Sequence, residues 1–399
     1  MLEIDWKFFV NMPKTLKDFD LQNKRVLVRC DFNVPLDEEG NILDDFRIKK
    51  TIPTIEYLIK NKAKVILISH LGRPTESSKF KKYSLKPIAL KLEELLEQEV
   101  HPVKSPLKRG ARSLSEQFNR VKFLDDCIGE KVEKEIDKMQ SGDVVLLENL
   151  RFHKEEEEND SAFAKDLAKL AEIYINEAFS VCHRNHASVV SLPKYLPSGM
   201  GILLEKEIEI LTDLVKAPKR PFLVIIGGKK IETKIKFIQK SLKIADWVLV
   251  GGLLRREIEG KKISFENQQK IVFPKDVITG ELNGELKVKD FEKLDSGEEI
   301  YDIGPQTQRI FKEKIALSKT VFWNGPLGMF EEDKFSKGSR FIVEEILKSG
   351  AFCVAGGGET IEFLNKFNLA SKFNYICTGG GAMLAFLSGE KLPGIEALH

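Results

Sequence analysis

The chain has 399 residues, of which 42% are hydrophobic and 31% charged. This length is enough for two domains that each bury a core of their own. Lys and Arg total 63 and Asp and Glu total 61, so the formal net charge is +2, which excludes an overall basic field for nucleic acid or membrane surfaces. Five cysteines without a Cys-x-x-Cys pair, no signal peptide and no long apolar run predict a cytoplasmic protein with reduced thiols.

The first half alternates short Val/Ile/Leu runs with longer amphipathic stretches, which is typical of βαβ units and parallel sheets. We predict strands at 25–29, 65–69, 144–147 and 173–175. We predict helices at 53–60, 85–96 and 162–170. The fold class that follows is α/β.

Polar residues follow these strands, where open parallel sheets bind ligands. Several guanidinium groups among them suit a phosphorylated or dianionic substrate, because their forks match phosphate and carboxylate oxygens. The candidates are Asp31, Asn33, Arg47, His70, Arg73, Arg151 and Arg184. A single arginine in such a position is more often a salt-bridge partner.

Other polar segments of this half receive plainer interpretations. Cys182, His183 and His186 resemble a fragment of a zinc site but lack further ligands, so we interpret them as structural or as polar packing on the substrate side. The run 155–158 of four glutamates is predicted to be solvated. The basic segment 104–120 is predicted to be a surface loop, with nucleic-acid contact as the alternative.

Prolines and a glycine in 192–199 interrupt both periodicities and mark a domain boundary, and a helix at 203–215 follows it. The second half then repeats the α/β pattern. Its predicted strands are 222–226, 247–250, 321–323, 352–355 and 375–377. The chain therefore contains two similar halves.

A phosphate-binding helix start is predicted after strand 222–226, which ends in Gly227 and Gly228. Lys230 and Lys234 are four residues apart and share one helix face, which suits a polyphosphate. The segment matches neither a P-loop nor a Gly-x-Gly-x-x-Gly fingerprint.

Two glycine triplets, 356–358 and 379–381, each follow a short apolar run and precede an amphipathic segment. Glycine lets the backbone approach a ligand, and the amides of a helix start favour an anion. The simpler explanation is a tight strand-to-helix turn, but two such triplets favour phosphate. Glu331, in another turn after a strand, is a candidate for ribose hydroxyls.

Taken together, these motifs resemble the phosphoglycerate kinase family over most of the chain. The segments that carry the resemblance are 25–35 (RVLVRCDFNVP), 69–74 (SHLGRP), 147–152 (LENLRF), 323–326 (WNGP) and 378–382 (TGGGA). The resemblance implies two Rossmann-like domains with parallel sheets, joined by a helix and hinge. It places a phosphoglycerate-binding domain at 1–196, with the tail 388–399 packed on it, and a nucleotide-binding domain at 197–387.

The implied reaction is reversible phosphoryl transfer between 1,3-bisphosphoglycerate and ADP in glycolysis, with Mg²⁺ bound with ATP or ADP. Phosphoryl transfer needs alignment and charge neutralisation more than a covalent nucleophile. The expected partners are these substrates, without membrane or nucleic acid, and the expected state is a monomer.

The resemblance also implies roles for individual residues. The strand-end candidates above would hold phosphoglycerate, and Arg47, Lys234, Gly358 and Gly381 would act on the transferring group. The implied nucleotide-binding residues are Gly227, Gly228, Lys230, Lys234, Asn324, Glu331, Gly357, Gly358, Glu359 and Thr360. Glu359 is the implied magnesium ligand.

Some positions depart from the family pattern. Glu359 and Glu177 stand where the family has Asp, and the stretch 257–274, which helps to wall the adenosine pocket, is shorter. The alternative function is therefore a catalytically weak or non-catalytic homologue with an altered base pocket.

Overall fold

The computed structural model of the chain describes residues 12–74, 81–100, 121–228, 231–281 and 284–399, without the side chains of 98–100 and 231–233. The basic segment 104–120 and Lys230 therefore lie outside the described residues. The chain forms two compact units. One comprises residues up to Glu209 together with Lys391–His399, and the other comprises Ile210–Glu390.

The described part of the N-terminal unit is built on a six-stranded parallel sheet with strand order β3-β4-β2-β1-β5-β6. Its central strands are buried on both faces, so their sequences are continuous apolar runs. The strands are β1 (Arg25–Arg29), β2 (Lys64–Ile68), β3 (Lys122–Leu124), β4 (Val144–Leu147), β5 (Ile173–Asn176) and β6 (Ser198–Met200). The helices are α1 (Phe46–Lys60), α2 (Lys86–Val100), α3 (Glu130–Asp137), α4 (Ser161–Lys169) and α5 (Ile202–Lys216).

The C-terminal unit repeats this plan in a parallel sheet of order β15-β14-β13-β7-β8-β9. These strands are β7 (Phe222–Ile226), β8 (Trp247–Val250), β9 (Ile271–Val272), β13 (Thr320–Asn324), β14 (Phe352–Gly356) and β15 (Tyr375–Cys377). An antiparallel sheet, which the sequence analysis missed, contains β10 (Asp276–Gly280), β11 (Leu286–Asp290) and β12 (Asp302–Ile303). The helices from here to the C-terminus are α6 (Ile231–Ile244), α7 (Gly252–Gly260), α8 (Pro305–Leu317), α9 (Lys337–Ser349), α10 (Gly358–Lys366), α11 (Gly380–Leu387) and α12 (Pro393–Glu396).

The α/β class and the two parallel sheets agree with the sequence-based expectation. The division between the units differs from the expected boundary at residue 196, because β6 pairs in parallel with β5 and so belongs to the N-terminal sheet. The chain passes from one compact unit to the other within α5.

Helix α1 begins earlier than predicted. The prediction placed its start at Pro53, a residue type that is favoured in the first turn of a helix. The helix instead starts at Phe46 and contains Pro53. Asp44 Oδ1 accepts a hydrogen bond from Phe46 N at 2.7 Å, and Asp45 pairs with Lys49 at 2.8 Å. The earlier start places Arg47 in the first turn.

The C-terminal segment packs in the N-terminal unit through α12. Ile395 and Leu398 are buried, and Gly394 N donates to Cys182 O at 2.9 Å. None of the helices in the described ranges combines the length and apolar composition needed to cross a bilayer. The five cysteines all lie in the described ranges, where they are buried and form no disulfide bond.

Candidate active site

A candidate anion site in the N-terminal unit lies where β1, β2, β4 and β5 end. Asp31 follows β1 and is nearly buried. Its carboxylate accepts hydrogen bonds from Arg47 Nη1 at 2.6 Å, Ser180 Oγ at 2.5 Å and Asn33 N at 3.1 Å. Asn33 Oδ1 in turn accepts one from Gly72 N at 2.8 Å. Asp31 and Asn33 therefore fix Arg47 and the turn after β2.

Arg151 supplies a guanidinium group with unused hydrogen-bond donors. Its Nη1 donates to Gly72 O at 2.6 Å, and its Nε lies 3.2 Å from Glu157 Oε1. Its buried Nη2 makes no hydrogen bond to any residue that the structure describes. Burial lowers the pKa of Arg151 to about 10. A buried cation with an unused donor is a preformed place for an anionic oxygen.

His70 lies among these cations and is 2% exposed. Burial and then the positive charges of Arg29, Arg151, Arg184 and Arg47 hold its pKa well below the ordinary value. Burial, followed by the charge of Arg73, likewise lowers the pKa of Arg184. The structure thus brings together the strand-end residues named from the sequence, with Arg73 on the exposed side of the cluster.

Three further residues of this region were not assigned a role from the sequence. Arg29 and Glu156 are fully buried, and Ser180 holds Asp31. Glu156 corrects the prediction that the 155–158 run is solvated, because its carboxylate accepts hydrogen bonds from Ser188 N and Oγ at 2.8 and 2.6 Å. The available signal was a charged residue, Arg29, directly after the apolar run 26–28 of β1.

Among the described residues, one group could hold a metal in this unit, namely Asp126, Cys127 and His153. A hydrogen bond of 2.8 Å between Asp126 Oδ1 and His153 Nε2 already accounts for their proximity. Cys182 is structural, as predicted, since it exchanges hydrogen bonds at 3.5 Å with Asn176 and Ala178.

In the C-terminal unit, Asn324 at the end of β13 connects three phosphate-binding candidates. Its Oδ1 accepts a hydrogen bond from Lys234 Nζ, and its Nδ2 donates to Gly356 O at 2.6 Å. Its carbonyl oxygen accepts from Gly227 N at 2.9 Å. Lys234 is 7% exposed, and burial lowers its pKa to about 8, against the opposing effect of Glu359.

Both glycine triplets begin helices, as predicted. Gly357 has φ +104° and precedes α10, and a Cβ there would lie 2.6 Å from Asn324 Nδ2. Gly358 is exposed, and a Cβ there would meet open space. Thr360 is buried, and its Oγ1 accepts a hydrogen bond from Gly325 N at 2.8 Å. Gly381 is the second residue of α11.

A cavity of about 370 Å³ lies beside these groups. Gly228 and Glu359 line one part, and the loop that carries Glu331 lines another. Leu253 and Leu254 of α7 also line it, so the shortened segment leaves a side wall in place. An elongated ligand with an apolar portion and phosphates is what this lining favours.

These two sites define the class of the protein as a phosphotransferase. One α/β unit carries an arginine-rich cluster. The other carries a cavity lined in part by Gly228 and Glu359, and it also contains a buried lysine and two helices that begin at glycine. Each is a local means of neutralising phosphate charge.

Comparison with known proteins specifies this class. The phosphoglycerate kinase family model matches residues 16–111, 101–258 and 257–390. The chain is 40% identical over 411 residues to the phosphoglycerate kinase of Coprothermobacter proteolyticus, covering 96% of this chain and 98% of that one. It is 42% identical to that of Borrelia hermsii, covering 97% and 99%. The crystal structure of phosphoglycerate kinase from Pyrococcus horikoshii superposes with a TM-score of 0.81 at 31% identity, covering 96% and 98%.

The chain therefore belongs to the phosphoglycerate kinase family, whose members are kinases that transfer phosphate to a carboxyl group.

Proposed function

We propose that the protein catalyses reversible phosphoryl transfer between 1,3-bisphosphoglycerate and ADP, giving 3-phosphoglycerate and ATP. The bond between phosphorus and the C1 carboxyl oxygen breaks, and a β-phosphate oxygen of ADP forms the new bond to phosphorus. The leaving group is already a carboxylate, so no residue has to protonate it. The protein has to align the substrates and neutralise charge.

The observation that carries the substrate assignment is the buried guanidinium of Arg151 with its unused Nη2. Arg73, Arg184 and His70 complete the site for the triose phosphate and carboxylate groups. Arg47, held by Asp31 and by the carbonyl oxygen of Asn33 at 3.3 Å, stabilises the transferring group. These residues support the proposal that phosphoglycerate binds to the N-terminal unit.

The nucleotide belongs to the C-terminal unit. Glu331 binds the ribose, and Lys234, with Lys230 from outside the described residues, binds the phosphates. Gly227, Gly228, Gly357 and Thr360 line the phosphate path, while the amides of Gly358 and Gly381 donate to the transferring group. Asn324 holds Lys234 in place.

Glu359 fits the role of magnesium ligand. Its carboxylate lies beside Gly228, where a Cβ would be 2.9 Å from Oε2, and it lines the cavity. Carboxylate and phosphate oxygens are the ligands that Mg²⁺ prefers. Magnesium bound there with the nucleotide supplies neutralisation of phosphate charge.

The test is a coupled assay of ATP formation from 1,3-bisphosphoglycerate and magnesium-ADP. Turnover that depends on both substrates is expected, and a folded protein without turnover would contradict the proposal. Each proposed site is built from one chain, so activity should reside in a monomer. Sedimentation of the active species checks this point.

Arg47→Ala separates a transition-state role from simple binding. We expect kcat to fall by about 10²–10³-fold, the scale of removing one preorganised donor to developing charge, with a smaller change in KM. Arg25→Ala, at the opposite end of β1, is the control. A change confined to the KM for phosphoglycerate would contradict the assignment.

A further inference from the structure

Arg29 is the last residue of β1 and is fully buried. Its Nε donates to Ser188 Oγ at 2.8 Å, its Nη1 donates to the carbonyl oxygen of Cys30, and its Nη2 lies 3.2 Å from His70 Nδ1. The guanidinium is thus occupied by the protein and has no exposed edge for a substrate. Any effect of Arg29 on the reaction therefore passes through a neighbour, and His70 is the neighbour in the phosphoglycerate site.

The contact between Arg29 and His70 has only one chemically consistent assignment. A guanidinium has N–H donors and no acceptor, so Nη2 must donate and His70 Nδ1 must accept. A histidine whose Nδ1 accepts carries its single ring proton on Nε2. A charged ring would instead turn an N–H toward the N–H of Arg29.

We infer that Arg29 is a positioning residue that fixes His70 as the neutral tautomer protonated on Nε2, so that His70 contributes a hydrogen-bond donor and no charge to the phosphoglycerate site. This inference rests on the proposed role of His70 in binding phosphoglycerate. The positive charge of the site then comes from the arginines alone.

A buried carboxylate orients Arg29 in turn. Glu156 is fully buried, and its Oε1 lies 3.9 Å from Arg29 Nη2. Ser188 joins the two, because its hydroxyl donates to Glu156 Oε1 at 2.6 Å and accepts from Arg29 Nε at 2.8 Å. Glu156 also balances the charge of Arg29, which is required of a cation with no water around it.

The surrounding charges agree with a neutral ring. Arg29, Arg151, Arg184 and Arg47 act on His70 from their separate elements, and together with burial they hold its pKa well below the ordinary value. Protonation of His70 would add a further positive charge to four existing ones.

The direct test is ¹⁵N NMR of the ring nitrogens in the full-length protein labelled at its six histidines. His70→Gln identifies the His70 signals by their loss. We expect a pyridine-type Nδ1 and a pyrrole-type Nε2 at neutral pH. A proton on Nδ1, or a charged ring, would overturn the inference, and neither result depends on whether the protein turns over.

A second test uses binding. The amide nitrogen of glutamine reaches the position of Nε2, so His70→Gln should retain more affinity for 3-phosphoglycerate than His70→Asn or His70→Ala. Arg29→Lys cannot make all three of the original contacts and should weaken that affinity roughly tenfold, the scale of one hydrogen bond to a charged group. Equal affinities of the three His70 variants would count against the donor role.

The control for Arg29→Lys is Arg25→Lys, because Arg25 lies on the same strand but pairs with Asp137 and Glu172. The Kd for the nucleotide should not change in either variant, provided that circular dichroism shows a native fold. If Arg29→Lys lowers the affinities for 3-phosphoglycerate and for the nucleotide equally, the role of Arg29 is structural and the inference fails. If Arg29→Lys does not fold, the NMR result decides alone.

Discussion

Lys234 and Arg151 are cations that the protein keeps largely out of water. Burial lowers the pKa of Lys234 to about 8 and that of Arg151 to about 10, so their charged forms are less favourable than in water. A phosphate that arrives at either group restores the lost stabilisation of the charge. The ligands proposed for these two cations therefore offset their desolvation cost.

Lys234 gives the first prediction at the residue scale. Its charge is present below about pH 8 and is lost as pH rises through that value, so the affinity for ADP should fall above about pH 8. Lys234→Arg should remove this decline, because arginine stays protonated. Lys234→Met should weaken ADP binding by at least about tenfold at neutral pH.

Titration calorimetry with ADP across this pH range is the measurement. Lys236→Met is the matched control, because Lys236 is on the same helix but pairs with Glu390 on the surface. An unchanged pH profile in Lys234→Arg would show that another group causes the decline.

At the scale of elements, the start of α5 is held by a buried carboxyl. Glu177 accepts hydrogen bonds from Leu203 N at 3.1 Å, from Leu204 N at 3.4 Å and from the hydroxyl of Thr54. Burial nevertheless raises its pKa to about 8. A Cβ on Gly201 would collide with this carboxyl. Glycine at position 201 therefore leaves room for the side chain of Glu177, which is one methylene longer than aspartate.

The raised pKa of Glu177 makes stability depend on pH. Between the ordinary value of 4.5 and about 8, the folded state holds a proton that the unfolded state has released. The contribution of Glu177 to stability should therefore be greatest below pH 4.5 and should decline as pH rises toward 8. Glu177→Gln, which keeps an acceptor without the charge, should make the thermal midpoint less dependent on pH.

The control is Glu209→Gln, since Glu209 lies on the exposed side of α5 and pairs with Lys206 at 2.8 Å. Asp302, with a pKa raised to about 7 by burial, contributes a dependence of the same sign in the C-terminal unit. The prediction fails if Glu177→Gln leaves the slope of the midpoint against pH unchanged.

A second element-scale prediction concerns the loop that carries Glu331. Lys366 ends α10, and its Nζ donates to Phe330 O and Glu331 O at 3.0 Å each while pairing with Asp333 at 2.9 Å. The helix that begins with Gly358 therefore also fixes the proposed ribose-binding loop.

Lys366→Met should raise the KM for ADP several-fold, by about the worth of one or two hydrogen bonds, while the KM for the bisphosphorylated substrate stays the same. Lys372→Met is the control, because Lys372 is exposed and lies just after the same helix. An equal rise in both KM values in Lys366→Met would indicate general destabilisation instead.

At the scale of the whole molecule, the chain leaves the N-terminal unit within α5 and returns to it at Lys391. The returning segment is held by buried Ile395 and Leu398 and by two hydrogen bonds of Gly394, to Cys182 O and from Asn176 Nδ2 at 3.2 Å. Gly394 is required, because a Cβ would lie 2.9 Å from the Cα of Cys182.

Truncating the buried side chain of Ile395 in this segment should destabilise the N-terminal unit. Ile395→Ala should cost about 2–5 kcal/mol of unfolding free energy, as large-to-small changes in cores do. Hydrogen exchange of the β5 strand should accelerate, while exchange in β13 should not. Glu396→Gln, at an exposed site of the same helix, is the control, and equal exchange rates in the two variants would disprove the role.

The sequence by itself determined the elements whose signal is local. The apolar strands β1, β4, β7 and β8 were predicted within their observed bounds, because parallel strands buried on both faces read as continuous apolar runs. The polar residues that follow those strands could be named as site candidates because the ends of the strands were recognisable. Local sequence is also sufficient to recognise the glycine-rich turns and the alternation of helices with strands.

Only the tertiary structure decided which charges are removed from water. Glu156 belongs to a run of glutamates that resembles a solvated surface, yet pairing with Ser188 and Arg29 buries it. The same applies to β6, whose three residues become a strand only by pairing with β5. Burial and strand pairing arise between residues distant in sequence, so local pattern could name the groups of the site but not the environment that sets their protonation.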